Sequence, residues 1–372
     1  MNEVLHERCE LLVKNQSEIR QAFRSEEELM SIVAGFLFAS AGIEADTDKL
    51  KECRKVLQKR TGFISLLRKE VELVLLSKMA QAEDPDHYMF DFLEVYKKLQ
   101  KEDFKENNFT ALAAVLILDF QLQGEADSIA SKSKALVKQM NSAHPFLTST
   151  EDTSFVVFLS LTDKSIESTL SDLEEGYTYL KKTCKVKATS NAIYELCEVL
   201  AITYGDMIEK CDKAMRFFNA FANHKAGYEI TNGFSSLGAL IDLDVDPDAF
   251  VEDVIEAEAY LKRQKVFGDN EKVSKTKRLM YATLLLADIY GARSETADNS
   301  VISSVFASIR AKKIANLVSI TSSVLSSVIP AVLKLDDDDK SDSSGSKSTS
   351  ADDAKSDGGI DTVEPTESKK SK

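Results

Sequence analysis

The sequence has no tryptophan and only a few of the residues that form turns. Its 372 residues include 14 glycines and 5 prolines. A β-rich fold needs Gly, Asn and Pro at many tight turns, so this composition argues against such a fold. The apolar share of 43% and the charged share of 29% still predict a folded body.

The part of the chain that should fold also has no basic tract, and the net charge is −14. Affinity for nucleic acids comes mainly from Lys and Arg side chains that neutralise phosphates, so we do not expect a nucleic-acid ligand. An acidic surface instead favours a basic or amphipathic partner.

The cysteines are odd in number and form no C-x-x-C pair. They are Cys9, Cys53, Cys184, Cys197 and Cys211. In a helical chain this pattern is typical of small apolar residues in a reducing cytosol. The polar residues 1–8 are not followed by the apolar core of a signal peptide, so we expect a cytoplasmic protein.

The sequence does contain self-similarity with a period of about 40 residues. Apolar residues recur at Leu99, Met140, Leu180, Phe221 and Leu261, at spacings of 41, 40, 41 and 40 residues. Each lies late in a segment with helical periodicity, and a second helical segment precedes each one. The sequence therefore predicts an all-α fold of tandem antiparallel helix hairpins, an α-solenoid of the HEAT or TPR type. An irregular helical bundle is the alternative.

The predicted turns within the hairpins carry residues that cap helices. The residues fifteen positions before the recurring apolar ones are Asp84, Glu125, Ser165, Asp206 and Asp246. Asp and Ser side chains accept a hydrogen bond from a free backbone N–H at a helix start. Proline follows both Asp84 and Asp246, and it is favoured at the first helical position. Glu125 fits this pattern least, with Asp127 or Ser128 as alternative caps.

These patterns divide the chain into four segments. Residues 1–27 are predicted to form an N-terminal capping helix, and residues 28–298 the array of hairpins. Residues 299–335 are predicted to form a Ser-rich amphipathic helix, and residues 336–372 a disordered acidic tail. The apolar stripe of the first helix consists of Leu5, Cys9, Leu12, Ile19 and Phe23.

The C-terminal helix offers a candidate partner or membrane face. The residues of this face are Leu317, Val318, Val324, Leu325, Val328 and Ile329. Residues 314–333 carry no charge and are numerous enough to cross a bilayer. The serines on the opposite side and Pro330 instead favour packing on the last hairpin, or self-association. The run Asp336–Lys340 matches the recognition sequence of enteropeptidase, although an ordinary acidic tail is the preferred interpretation.

No motif predicts a catalytic, cofactor or metal-binding residue. Asp242, Asp244 and Asp246 alternate as in a calcium loop, and Asp253 lies eleven residues after the first of them. However, Pro247 occupies the position where such a loop needs glycine, and a turn with a helix cap explains the same residues. The chain has no H-E-x-x-H, G-x-S-x-G or Walker A pattern.

The histidines and tyrosines favour structural roles. The four histidines lie far apart in the sequence, and His144 belongs to a predicted link between hairpins. Tyr96 and Tyr177 occupy equivalent positions of the repeat, so we expect them to pack between hairpins.

Four stretches resemble a bacterial family known as domain of unknown function 4003. They are RCELLVKNQSEIRQAF (8–23), KLKECRKVLQKRTG (49–62), HPFLTSTED (144–152) and KRLMYATLLLAD (277–288). The resemblance covers about residues 1–320. It implies a cytoplasmic protein, mostly from Gram-positive bacteria, and it transfers no activity and no site residue.

The leading hypothesis for function is a non-enzymatic interaction scaffold or adaptor, because stacked hairpins form long grooves that hold peptides or helices. One alternative is a small-molecule-binding protein or an enzyme with a site between hairpins. Another is a membrane-surface protein that attaches through the C-terminal helix.

Overall fold

The structure, a computed structural model, describes most of the chain up to residue 297. The described residues are 1–62, 65–145, 147, 152–184, 187–228, 230–231, 233–268, 273–297 and 320–321, with only the backbone for 292–297. Within these ranges the regular structure is helical and contains no strand, which confirms the predicted all-α fold. The chain divides into a compact unit of residues 1–330 and a second unit of residues 331–372, and the latter lies outside the described residues.

The helices follow one another with short connections. They are α1 Glu3–Ala22, α2 Glu28–Ala41, α3 Thr47–Arg60, α4 Glu72–Gln81, α5 Pro85–Lys101, α6 Asn108–Asp119, α7 Ala126–Ala143, α8 Thr153–Ser160, α9 Ile166–Thr183, α10 Ser190–Ala201, α11 Met207–Asn223, α12 Pro247–Lys262 and α13 Lys275–Ala297. Short 3-10 helices span Leu66–Arg68 and Gln123–Glu125, and a longer one spans Phe234–Leu240.

Two kinds of helix alternate along the chain. Helix α2 is apolar on all sides, and every residue from Leu29 to Ser40 is buried. Helix α5 instead buries one stripe, with Met89, Phe92, Tyr96 and Leu99 at helical spacing, and its other side is charged. A helix that is apolar all round belongs in an interior, whereas a one-sided helix belongs at a surface. The apolar helices are therefore inner elements and the amphipathic helices outer ones.

The inner elements form a closed circuit of contacts. Helix α2 packs on α4, helix α6 packs on α8, and α8 packs on α10. Helix α10 packs on the 3-10 helix Phe234–Leu240, this 3-10 helix contacts α13, and α13 contacts α2. The Lys78–Asp119 ion pair, at 2.6 Å, joins the ends of α4 and α6. The outer helices repeat this order through α1, α3, α5, α7, α9, α11 and α12, and α12 contacts α1 again.

The first helix buries its predicted apolar stripe and contacts the last helices. All five residues of the predicted apolar stripe of α1 are buried. Part of this helix packs against α12 and α13, and not only against its neighbour α2. A hydrogen bond of 3.3 Å between Ser40 Oγ and Asp288 Oδ2 joins residues separated by 248 positions. The predicted capping helix is thus one member of the outer circuit.

The predicted turns hold helix caps at four of the five positions. Asp84 accepts hydrogen bonds from the N–H groups of the first turn of α5, and Asp246 accepts one from Ala249 N at 2.9 Å. Ser165 and Asp206 cap α9 and α11 in the same way. Glu125 precedes α7 but makes no side-chain cap. The alternative caps Asp127 and Ser128 are wrong, because a 3-10 turn brings the start of α7 forward to Ala126.

The helical segment predicted before Asp246 forms a 3-10 helix, Phe234–Leu240, and not an α-helix. Gly238 lies so close to α10 that a Cβ atom there would stand 2.4 Å from Val199 Cγ1. Gly35 allows a similar approach of α2 to α1, since its Cβ would lie 2.9 Å from the backbone nitrogen of Gln16. These glycines are explained by close packing of neighbouring elements.

A buried ion pair fixes the start of α13 against α12. Arg278 is fully buried, and its Nε and Nη2 atoms each lie 2.7 Å from Glu258 Oε1. Its Nη1 atom donates to the carbonyl oxygens of Phe267 at 2.9 Å and Val273 at 3.1 Å. A guanidinium group removed from water needs such a complete set of acceptors.

Candidate functional site

Cationic side chains at the start of outer helices reach the carboxyl ends of inner helices. These bonds run from Arg8 to Ala39 O, from Lys49 to Ala82 O, from Lys132 to Thr162 O and from Lys164 to Ala201 O, at 2.7, 3.3, 2.6 and 2.7 Å. A positive charge at a helix carboxyl end satisfies free carbonyl groups and the helix dipole. The bonds also show that inner helices end and outer helices begin on one side of the body, which we call the turn face.

A surface pocket of about 390 Å³ opens on the turn face. Three successive turns, which follow α6, α8 and α10, build its apolar lining. The lining consists of Phe120, Leu122, Phe158, Leu161, Ile202 and Tyr204. The rings of Phe120 and Phe158 lie 5.5 Å apart at the base, whereas Tyr204 is 60% exposed. An exposed aromatic beside an apolar pocket is a common feature of binding surfaces.

Two buried lysines are bonded to the backbone of the turn that carries Ile202 and Tyr204. Lys164 Nζ donates to the carboxylate of Asp172 and to the carbonyl oxygens of Ala201 and Thr203, each at 2.7 Å. Lys210 Nζ donates to the same Thr203 oxygen at 2.9 Å. Burial, and then the nearby Lys164 ammonium group, lower the pKa of Lys210 from its ordinary value of 10.5 to about 8.

Carboxylates surround the pocket on the turn face. Asp163 lines the pocket itself and Asp206 lies two residues after Tyr204, and both are exposed. The capping residues Asp84 and Asp246 are exposed on the same face. Exposed carboxylates therefore lie at the pocket and beside it.

Little in the sequence indicates this site. Lys164 precedes the cap of α9 and Lys210 lies in the first turn of α11, where charged residues are usually solvated. Both lysines are bonded to the backbone carbonyl of Thr203. Because every residue type has such a carbonyl, the sequence does not indicate that the two lysines meet there. Only the apolar character of the turns, with Phe120 and Tyr204, could have indicated a pocket.

The alternating aspartates form a turn and a helix cap. Asp242 and Asp244 are exposed in the turn before α12, and the Asp246 side chain is bonded to Ala249 N. Among the residues that the structure describes, no three His, Cys, Asp or Glu side chains are grouped to hold a metal ion. All five cysteines are free, and burial raises the pKa of the Cys9 thiol to about 12.

One histidine does join an aromatic cluster. The ring of His144 lies 5.3 Å from that of Tyr177 and 5.5 Å from that of Tyr194, and its Nε2 atom is 2.5 Å from Glu174 Oε1. The cluster joins the end of α7 to α9 and α10. Tyr177 therefore packs between hairpins, in agreement with its expected role.

A buried carboxyl group lies near this cluster. Glu198 of α10 is fully buried, and neither of its carboxyl oxygens has a hydrogen-bond partner among the described residues. Burial, and then the carboxylates of Asp152 and Glu195, raise the pKa of Glu198 well above its ordinary value of 4.5. The folded protein therefore keeps this proton to a higher pH than the unfolded chain does.

The predicted C-terminal face lies outside the described residues. This applies to all six of its members: Leu317, Val318, Val324, Leu325, Val328 and Ile329. Of residues 314–333 the structure describes Ile320 and Thr321, and each is 3% exposed. Over the described part of the chain, no helix has the length and apolar character to cross a membrane.

Comparison with known proteins identifies the family without a function. No curated protein and no solved structure shows significant similarity to the chain. The model of the family described as "Protein of unknown function (DUF4003)" matches residues 15–314, which is more than half of the sequence. The protein therefore belongs to this family.

Proposed function

We propose that the protein is a non-enzymatic interaction protein whose turn face binds a basic, amphipathic segment of a partner protein. The observation that carries this proposal is the apolar pocket with carboxylates around it. Apolar anchors of a partner helix would enter between Leu161, Ile202 and Tyr204. Cationic side chains of the same helix would face the exposed Asp163 and Asp206.

The dimensions and the charge of the pocket support this kind of partner. A volume of about 390 Å³ accommodates a few side chains and not a folded surface. The net charge of −14 attracts a cationic segment over distances of about a Debye length, so salt should weaken the complex. The free cysteines support a reducing cytoplasm as the place of action.

A synthetic peptide tests the binding mode directly. The probe is a fluorescein-labelled helix of leucine and lysine with leucines at i, i+3, i+4 and i+7, measured by fluorescence anisotropy. We expect Tyr204→Ser to weaken binding by about tenfold, the usual effect of truncating a central aromatic anchor. Phe90→Ser is the matched control, because Phe90 is 48% exposed and lines a different surface pocket, with Lys59 and Arg60.

Two results would contradict the proposal. One is that Tyr204→Ser binds the peptide as tightly as the wild type does, and that Phe90→Ser loses at least as much affinity as Tyr204→Ser. The other is equal binding of a peptide in which glutamate replaces every lysine, because the exposed carboxylates should repel it. The salt dependence gives a further check, since affinity should fall as ionic strength rises from about 50 to 300 mM.

A further inference from the structure

Few large apolar side chains are exposed on this protein. Among the residues that the structure describes, those that are exposed are Ile43, Phe90 and Tyr204, at 43%, 48% and 60%. Tyr204 lines the apolar pocket of the turn face, and Phe90 of α5 lines a second surface pocket of about 450 Å³. A partner that covers such a side chain gains the free energy of burying its apolar surface.

The second pocket has an aromatic ring among cationic side chains, and we call it the Phe90 surface. It consists of Lys59, Arg60, Phe90, Leu93, Glu94 and Lys97. The last four stand at positions i, i+3, i+4 and i+7 of α5, so they share one side of that helix. The end of α3 supplies the other two, and the guanidinium carbon of Arg60 lies 5.9 Å from the centroid of the Phe90 ring.

The charge of the Phe90 surface is opposite to that of the turn-face pocket. Three cationic side chains and one carboxylate line the Phe90 surface, whereas Asp163 lines the other pocket and Asp206 lies beside it. Helix α3, which ends at the Phe90 surface, carries six cationic residues and two carboxylates. A basic surface is thus present on a chain whose net charge is −14.

Two of these cations are bonded to carboxylates of the same chain. Arg60 Nε donates to Asp86 Oδ1 at 3.0 Å, and Lys97 Nζ donates to Glu94 Oε1 at 3.1 Å. Both pairs are exposed to solvent, and exposed ion pairs contribute little free energy. A carboxylate of a partner can therefore share these cations at small cost.

The two surfaces complement each other in shape and in charge. The turn-face pocket suits an apolar side chain that has cations beside it, and the Phe90 surface presents a phenylalanine with Lys59 and Lys97 next to it. In turn, the exposed ring of Tyr204 suits the open pocket beside Phe90. One contact between the two surfaces would cover both aromatic side chains.

We propose that the Phe90 surface of one copy of the protein binds the turn-face pocket of a second copy. Phe90 enters beside Ile202 and Tyr204, and Lys59 faces Asp163. This inference rests on the proposed function, because it names a second copy as a partner of the same pocket. The contact joins two different surfaces, so each new copy brings a further free surface, and association continues unless the series of copies closes.

Sedimentation velocity of the full-length protein over a series of concentrations tests this inference. Salt of about 150 mM screens the repulsion between the acidic copies beyond about 8 Å. We expect the wild type to self-associate, and Phe90→Ser and Tyr204→Ser each to lower the association constant by about tenfold. Ile43→Ser is the matched control, because Ile43 is similarly exposed and lines neither pocket.

A mixture of the two variants separates loss of contact from loss of folding. Phe90→Ser keeps the turn-face pocket and Tyr204→Ser keeps the Phe90 surface, so one wild-type contact can form between them. We expect the mixture to form dimers about tenfold more tightly than either variant associates alone. Association of this kind requires that both variants are folded.

Reversal of charge tests the electrostatic part of the contact. Lys59→Glu should weaken self-association several-fold, because the new carboxylate meets Asp163 of the second copy. Lys59→Glu combined with Asp163→Lys should recover at least part of this loss, since each contact again joins opposite charges.

Three results would overturn the inference. One is a wild type that stays monomeric, and another is a mixture that associates no more tightly than the separate variants. The third is unchanged self-association of Phe90→Ser together with loss of its binding to the peptide that has glutamate in place of lysine, because the Phe90 surface would then bind an acidic segment of another protein. A monomeric protein that still binds the leucine–lysine peptide through Tyr204 overturns this inference alone, whereas absence of peptide binding overturns the proposed function.

Discussion

Replacement of Glu198 by glutamine should remove a pH-dependent loss of stability. The carboxyl is fully buried, no residue that the structure describes forms a hydrogen bond with it, and its pKa is raised well above 4.5 by burial and by Asp152 and Glu195. Above pH 4.5 the unfolded chain releases this proton while the folded chain keeps it. The folded state then binds more protons than the unfolded state, so its stability falls as the pH rises.

The size of the effect follows from linkage. Each pH unit between the unfolded pKa and the raised folded pKa costs about 1.4 kcal/mol of unfolding free energy. As the pH rises from 5, the unfolding free energy of the wild type should fall relative to that of Glu198→Gln, by at most about 1.4 kcal/mol for each pH unit. Glutamine keeps the size of the side chain, and its own unpaired amide adds a cost that does not change with pH.

Urea unfolding at pH 5, 6 and 7 provides the assay. With a slope of about 3 kcal/mol/M, the midpoint of Glu198→Gln should rise relative to that of the wild type by at most about 0.5 M for each pH unit above pH 5. Glu175→Gln, on the exposed side of α9, is the control and should follow the wild type. Parallel curves for the wild type and Glu198→Gln would refute the reasoning, because the folded protein would then release this proton as readily as the unfolded chain.

Three further substitutions test the packing of the fold, each by its unfolding free energy in urea. Glu258→Ala should destabilise the protein by about 3–5 kcal/mol, because it removes the carboxylate that accepts from the buried guanidinium of Arg278, and a smaller loss in Glu258→Ala combined with Arg278→Met would support this cause. Asp246→Ala should cost about 0.5–2 kcal/mol through loss of the helix cap, and a change in metal content would contradict this interpretation. Gly35→Ala should cost about 1–3 kcal/mol because its Cβ meets the backbone of Gln16, and no loss would show that α1 moves freely.

The local elements of the fold could be predicted because their causes lie within a few residues. Asp84 and Asp246 cap helices through N–H groups two or three residues away, so their side chains and the following prolines were sufficient evidence. The 3-10 helix at Phe234–Leu240 could not be predicted in this way. Its conformation accompanies the close approach of Gly238 to Val199, which lies 39 positions earlier in the sequence.

The candidate site was beyond sequence reasoning for a related reason. Its pocket is assembled from three turns that lie about 40 residues apart, and its lysines are bonded to backbone oxygens. A repeat period indicates that such turns lie side by side, but it does not indicate which side chains enter the space between them. Glu198 was missed because a lone glutamate in an apolar segment gives no sign of whether it has a partner.

Contact between the first and last helices changes where a partner can bind. In an open array of hairpins, the inner helices of successive units would line a groove with free ends. Here α13 contacts α2, and α12 contacts α1, so the series of hairpins returns to its beginning. The inner helices are buried by this arrangement, as the complete burial of α2 from Leu29 to Ser40 shows. A partner must therefore meet the ends of the helices or the outer wall. Of the surfaces that the structure describes, the turn face combines an apolar pocket with the exposed carboxylates of Asp163 and Asp206, which is why the peptide experiment is directed there.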